Sequence, residues 1–416
     1  MKNILLLGNG FDLYYKLATK YTNFLNVVNY LLNNRGTSIK TIGDVFSQKS
    51  LQEVDKFIAE CYEVHQQSFD VTPLDKNSIL EIIRLTKSNL WFSYFNKVFS
   101  KDVGWIDFEK EVDFVLECFE KAFEKSTVVH FKADEKHIQY VIELFGFYID
   151  KFASKKVVTI GTYKVNVEYC KEYPLGSGNY IVDQEKVVDK LYDELYDLSK
   201  ALKLYLECFV ENACELIKNE KSFRRIDFLS HIEKTITFNY TNTYEKLYYN
   251  NSAFHIHGDV NKEIVLGINP DYTDKLDNLN TTFVCFKKYF QRTLYETDRD
   301  YLRWMREFVD VNMSYRLFVM GHSLDITDKD IIEEIFCNSS EIFILYHNYD
   351  AKRSYIENLV KIFGKDEFDM LKKKKKLTLI SLDQDFSSLK EYLSVESWKD
   401  LYDTLEFDKG EKITVI

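Results

Sequence analysis

Proline is scarce in this sequence: Pro73, Pro174 and Pro270 are the only three in 416 residues. No Pro/Gly/Ser-rich linker divides the chain, so domain boundaries have to be sought in changes of pattern. There is no C-x-x-C pair and no Cys/His cluster. The seven cysteines, Cys61, Cys118, Cys170, Cys208, Cys214, Cys285 and Cys337, are scattered. An odd, dispersed set reads as reduced thiols of a cytoplasmic protein, not as a disulfide frame. No apolar run approaches the ~18 residues of a membrane helix. The first such run has only Lys2 before it and ends at Gly8, short of a secretory h-region. Nor is there a basic excess: 66 acidic residues outnumber 55 basic ones, for a net charge of −11. That balance argues against broad electrostatic binding of nucleic acid. These absences predict a soluble, cytoplasmic protein with no membrane partner.

Apolar and aromatic residues are plentiful. Hydrophobic residues make up 45% of the chain, with 32 Phe and 29 Tyr. A sizeable core is expected and wholesale disorder is not.

Ile4-Leu5-Leu6-Leu7 is short, apolar and bounded by glycine, as a buried parallel strand would be. From Leu51 to Asp150 the pattern is helical, with Val112, Val115, Leu116 and Phe119 at helical spacing. Lys156 to Val182 is rich in Val, Ile, Thr and Tyr and reads as a small hairpin or excursion. Val187, Val188, Leu191, Leu195, Leu198, Leu202 and Leu206 mark a long amphipathic helix ending near Lys221. Strand candidates follow at Thr235–Phe238, Phe254–His257, Ile264–Leu266, Arg316–Met320, Ile342–Tyr346 and Leu377–Ile380, mostly separated by helical segments. Such alternation predicts an α/β fold with a parallel sheet. We expect a discontinuous Rossmann-like domain, residues 1–40 and 229–416, interrupted by a mostly helical insertion, residues 41–228. The run Lys372 to Lys376 reads either as a solvated turn before a strand or as a phosphate-backbone contact.

Four segments sit where strands end. The first is Gly8-Asn9-Gly10-Phe11-Asp12. A strand entering a glycine turn and a helix offers backbone N–H groups and a helix dipole to a phosphate. The dinucleotide fingerprint fails, however: its third glycine would fall at Leu13, and Val27 to Leu32 holds no acid for a ribose. The residues alone leave a tight turn and a nucleotide loop equally open. The second is Thr237-Phe238-Asn239-Tyr240-Thr241-Asn242. Asn239 has donors and an acceptor suited to ribose hydroxyls or a carboxamide. On spacing alone the favoured reading is a helix cap by Asn239 or Thr241.

The third is His255-Ile256-His257-Gly258-Asp259. Alternation puts both histidines on one face of a strand. A structural His suits position 255, whereas the glycine after His257 lets a ligand approach, so His257 is the candidate general base. The fourth is Gly321-His322-Ser323-Leu324-Asp325, followed by Asp328 and Asp330. Caps by Ser323, Thr327 or Asp328 compete with contacts to a nucleotide. In the expected insertion, Trp105-Ile106-Asp107-Phe108-Glu109 begins a helix. A structural role suffices for it unless the insertion reaches over the site.

Together these segments, with Thr19-Lys20-Tyr21 and Phe24, resemble the AbiH-type abortive infection family, in the same order and over nearly the whole chain. The family implies defence against phage by arrest or death of the infected cell. A more distant resemblance is to sirtuin-like NAD-cleaving domains. Gly8 and Gly10 match their glycine loop, Asn239 their asparagine, His257-Gly258 their histidine block, and Gly321 with Ser323 their last block. Asn9, Asp12 and Thr241 depart from that pattern, and the zinc-binding cysteines of deacetylating sirtuins are missing, which suits hydrolysis.

The resemblance implies a sirtuin-like NAD glycohydrolase with His257, Asn239 and Asp12 as catalytic residues. It implies nucleotide contacts from Gly8, Asn9, Gly10, Phe11, Thr19, Thr241, His255, Gly321, His322, Ser323, Asp325 and Asp328. NAD would be substrate or ligand and no cofactor or metal is expected; the partners expected are a nucleotide, a phage-derived trigger and a second copy of the chain. Two other readings stay open. One is a nucleotide-binding sensor without turnover. The other is a nuclease using His255, His257, Asp325 and Asp328 as metal ligands.

Overall fold

The computed structural model describes residues 2–34, 39–99, 108–124, 136–147, 157–160, 163–172, 180–248, 253–269, 281–310, 314–374 and 376–382. Trp105 to Asp107, Pro174 with the Leu-Gly-Ser-Gly after it, Pro270 and Lys375 lie outside these residues. The strands are β1 (Lys2–Leu7), β2 (Val157–Ile160), β3 (Tyr163–Asn166), β4 (Cys170–Glu172), β5 (Tyr180–Val182), β6 (Lys234–Thr237), β7 (Ala253–His255), β8 (Tyr315–Met320), β9 (Ser339–Tyr346) and β10 (Leu377–Ser381). The segment expected as a hairpin forms two antiparallel pairs, β2 with β3 and β4 with β5.

The other six strands make one sheet in the order β10-β9-β8-β1-β6-β7, and every pairing in it is parallel. Counted along the chain, that is the 3-2-1-4-5-6 order of a Rossmann sheet, read from the other edge. Strand order reverses between β1 and β8, and ligands of open α/β sheets sit outside the carboxyl ends of the strands at such a point.

The strand β1 is buried on both faces because successive side chains alternate. Ile4 and Leu6 join Leu317, Val319, Ile342 and Ile344 in one core, completed by Ile332 of the helix Lys329–Cys337 and Leu359 of the helix Tyr349–Lys373. Leu5 and Leu7 join Phe318, Met320, Phe343 and Leu345 in a second core. That core runs without a break into the helical residues, including Phe24, Trp91, Leu202 and Tyr205. The helices therefore cover one face of the sheet. Buried hydrogen bonds hold them to the chain just after β1: Tyr205 donates to the Ala18 carbonyl (2.8 Å), and His65 Nε2 lies 2.8 Å from the Tyr15 carbonyl. The long helix Gln184–Leu206 continues through a π-helical turn, Glu207–Glu211, into Asn212–Ile217.

Ile264–Leu266, expected as a strand, is not one. Gly258, at φ +77°, turns the chain back. The Val265 amide donates to the His257 carbonyl (2.8 Å) and the Leu266 amide to the Gln291 side chain (3.0 Å). The apolar run is buried with its hydrogen bonds met outside the sheet, so a short apolar pattern misled. Lys372 and Lys373 end a helix with exposed side chains, and Lys376 donates to the Phe336 carbonyl (3.1 Å) just before β10, which agrees with a turn. Among the described residues no helix is long and apolar enough to cross a membrane.

Candidate functional site

The loops leaving β1 and β8 meet at the switch point, backbone against backbone. A Cβ on Gly8 would lie 2.5 Å from His322 Cα, and one on Gly10 would lie 2.7 Å from Gly321 Cα. Gly321 has φ +71°, and a Cβ there would lie 2.1 Å from the Phe11 nitrogen. These glycines thus bring two loops together. The amides of Gly8, Gly10 and Phe11 already donate to the carbonyls of Met320 (3.2 Å), Gly321 (2.8 Å) and Gly8 (2.9 Å). Two of these bonds cross the loop contact, and the third closes the glycine turn on itself. We expect Gly321→Ala to destabilise the fold by about 2–5 kcal/mol, combining left-handed backbone strain with overpacking. The denaturant midpoint measures this, and wild-type stability would refute the close packing.

Beside the glycines lies a cavity of about 470 Å³, within the usual range for small-molecule sites. Gly8, Asn9, Gly10 and Asp12 line it from the end of β1, and Thr19, Lys20, Tyr21 and Thr22 from the next turn. Phe238 to Thr241 follow β6, His257 follows β7, and Gly321, His322, Ser323 and Asp328 follow β8. Glu109, Leu202 and Leu206 complete the lining from the helical region. The helices do reach over the site and place Glu109 at its wall.

Asp12 is 1% exposed. Its Oδ2 accepts from the Thr241 hydroxyl (2.6 Å), while Oδ1 is buried without a hydrogen-bond partner. Burial pushes its carboxyl up to about 7; the Thr241 and Thr243 hydroxyls oppose this, and the charges of Glu211 and Glu245 add to it. Thr241 is therefore not a helix cap. The Asn242 amide at the start of the helix Thr243–Tyr248 donates instead to Glu211, delivered by the π-helical turn. Asn239 makes no cap either: its amide donates to the Thr237 hydroxyl (3.1 Å), and its buried Oδ1 has no partner.

The two histidines of the third segment part company. His255, the last residue of β7, lies 2.7 Å from Glu245 Oε1 and 3.0 Å from the Asn239 carbonyl, and it does not line the cavity. Burial disfavours its charge, but Glu245 outweighs burial and raises its pKa. His257 comes after the strand has ended, beside the Gly258 turn, so strand alternation no longer governs it. Its ring packs edge-on to Phe238 (5.1 Å), and Nε2 has no hydrogen-bond partner, though Asp328 Oδ1 is 3.5 Å away. Burial, with Lys288 and Arg292, holds its pKa well below 6.5 against the pull of Asp328. The 3.5 Å contact is accordingly not a charge pair.

His322 accepts from the Leu324 amide at Nδ1 (3.0 Å), which leaves the proton of the neutral ring on Nε2, 3.6 Å from Asp328 Oδ2. Burial lowers its pKa to about 4. Asp328 accepts from Lys288 Nζ (2.9 Å), and the same ammonium lies 2.7 Å from Glu109. Burial works against the Asp328 carboxylate, but Lys288 outweighs it and holds the pKa well below the usual range.

Of the residues expected at the site, Phe11, His255 and Asp325 do not line the cavity. Phe11 packs edge-on to Tyr15 (5.2 Å) and Tyr244 (6.0 Å) in the core. Asp325, not Ser323, Thr327 or Asp328, caps the short helix Ile326–Asp328 through the Thr327 amide (3.2 Å). His255, His257, Asp325 and Asp328 thus do not converge on one point, which removes the ligand set of the nuclease reading. Sequence reasoning missed Lys288 and the apolar lid of Leu202 and Leu206. A lone lysine carries no sign that it will be buried, and the leucines looked like ordinary helix core.

A parallel sheet in Rossmann order with a cavity at its switch point defines the class: a Rossmann-like α/β protein. The chain belongs to the AbiH family of bacteriophage abortive infection proteins, whose family model matches residues 4–346. Its role is abortive-infection defence against phage. No curated protein and no solved structure matches the chain.

Proposed function

We propose that this AbiH protein defends by hydrolysing NAD at the bond between nicotinamide and ribose. One observation carries the reading. Asp12 Oδ1, Asn239 Oδ1 and His257 Nε2 come from the ends of three different strands, belong to residues of one cavity, and are buried without hydrogen-bond partners. Buried polar groups are left unpaired at a cost of about 1–3 kcal/mol each, and a ligand that pairs with them repays it. The likeness of the Asn239, His257-Gly258 and Gly321-His322-Ser323 segments to sirtuin-like domains directs the choice of NAD.

The chemistry needs little. Nicotinamide in NAD is a cation and leaves without prior protonation. The C1′–N bond breaks with its electron pair going to the nicotinamide ring, which becomes neutral. The ribose passes through an oxocarbenium-like state, and water forms the new C1′–O bond. His257, neutral at physiological pH, takes the proton from that water and later releases it to solvent. Asn239 orients the ribose hydroxyls, and ionised Asp12 stabilises the developing positive charge. The products are nicotinamide, ADP-ribose and one proton. The diphosphate lies along the part of the cavity lined by Gly8, Asn9 and Gly10, where Lys20 also belongs to the lining.

An activity that kills its own cell must be held off until infection, so a phage-derived trigger and self-association belong to the proposal. Purified protein, both resting and after phage challenge, is incubated with NAD. We expect nicotinamide release in the triggered sample. Tight NAD binding with no nicotinamide from either sample would overturn hydrolysis and leave a nucleotide-binding sensor.

A further inference from the structure

We propose that Lys288 is the positioning residue of this cavity: its ammonium fastens Glu109 of the helix Phe108–Glu124 to Asp328 at the carboxyl end of the sheet, and so sets the Asp328 carboxylate between His257 and His322. Lys288 itself is 2% exposed and does not line the cavity, whereas both of its partners do. Its Nζ lies 2.7 Å from Glu109 Oε1 and 2.9 Å from Asp328 Oδ1. Asp328 in turn reaches His257 Nε2 at 3.5 Å and His322 Nε2 at 3.6 Å. The backbone of Lys288 is fixed as well, its amide donating to the Ile268 carbonyl (2.8 Å) at the start of the helix Lys288–Tyr295.

A buried ammonium between two carboxylates is stable only as a set. Removing the cation leaves the buried Asp328 carboxylate facing the imidazoles of His257 and His322. The ion pairs also join the helical region to the carboxyl end of the sheet, so the lysine helps to define where Glu109 sits at the cavity wall.

The groups facing His257 decide the consequence. Lys288 and Arg292 approach from the helix Lys288–Tyr295, and Asp328 and His322 from the segment after β8. The Phe238 ring packs edge-on against it. Without Lys288, Asp328 faces His257 with much less opposition. His257 then gains a proton more easily and becomes an imidazolium paired with Asp328, which cannot accept a proton from water. The lysine thus acts through Asp328 to keep His257 in its basic form. The inference rests on the proposed hydrolysis only for what that basic form is used for.

The test follows the imidazole resonances of the full-length protein by NMR as pH is varied, with the His257 signal identified by its loss in His257→Ala. Lys288→Met removes charge and hydrogen bonds. Lys288→Gln removes the charge but keeps a donor, and serves if the methionine variant does not fold. In either neutral variant we expect the His257 midpoint to rise by roughly one to three pH units, with Lys288→Arg close to wild type. A midpoint in a folded neutral variant that coincides with wild type overturns the inference. Nicotinamide release by the wild type is read separately. A shifted midpoint without NAD cleavage sinks the hydrolase reading and keeps the role of Lys288; cleavage with an unmoved midpoint does the reverse.

Discussion

His257→Ala is expected to lower nicotinamide release by roughly 10²–10⁴-fold, the usual worth of a positioned general base. The side chain differs from most catalytic histidines in its protonation. Many catalytic histidines titrate near neutrality, but burial with Lys288 and Arg292 nearby keeps His257 neutral far below pH 6.5. It is therefore deprotonated at every physiological pH, and the same lowering makes it a weaker proton acceptor than a histidine that titrates near neutrality. Its Nε2 has no hydrogen bond to lose within the protein. The alanine variant should lose only packing against Phe238, about 1–3 kcal/mol of stability, and remain folded. Thermal melting separates loss of activity from loss of fold. A folded His257→Ala protein that releases nicotinamide at the wild-type rate would remove His257 from the chemistry.

Asp12→Asn should stabilise the protein above pH 7 while impairing cleavage. The folded-state pKa of Asp12, about 7, lies above its ordinary value of 3.8. Below pH 4 both folded and unfolded chains hold the proton, and the group contributes nothing to pH dependence. Between about 4 and 7 the unfolded chain has released a proton that the native state still holds. Native stability therefore falls as pH rises through that window and levels off above it. A rise of that size corresponds to roughly 2–4 kcal/mol, with the upper end the simple linkage value. Asparagine carries no such charge, and its carbonyl can still accept from Thr241. Unfolding free energies at pH 5 and pH 8 test this: the difference between Asp12→Asn and wild type should grow toward pH 8. A difference independent of pH would show that Asp12 is not held protonated by its surroundings. Activity should report the same group from the other side. Wild-type cleavage needs the ionised carboxylate and should decline as pH falls through about 7, whereas the variant should lose that limb and sit at a low plateau. A stabilising mutation that costs function is what a strained, solvent-poor site predicts.

Much of the fold was legible because its strongest signals are local. Ile4 to Leu7, Arg316 to Met320 and Ile342 to Tyr346 read as buried strands and are strands, since a parallel strand covered on both faces must be apolar throughout. Val187 to Leu206 read as a helix because one face repeats at helical spacing. The same rule misread Ile264–Leu266, whose burial comes from a turn folding back on Gln291 and not from a sheet. At the site, residue type was legible and geometry was not. Asn239 and Thr241 line the cavity, but spacing pointed to a cap; Glu211, arriving from a distant π-helical turn, took the Asn242 amide instead. His255 and His257 looked alike, and only the end of β7 and the Gly258 turn separate a structural histidine from one at the cavity.

By itself, then, the sequence determined the class of fold, the four strand-end segments and the family resemblance, because periodicity, apolar runs and motif order are written along the chain. Tertiary structure alone decided the strand order that sets β1 beside β8. It decided that the glycines of the two loops serve their mutual contact, and that Lys288 is buried between Glu109 and Asp328. Those outcomes depend on which distant segments meet and on how much water is left between them. The free energy of a buried charge or an unpaired carbonyl is a property of that meeting, not of any stretch of residues read in order.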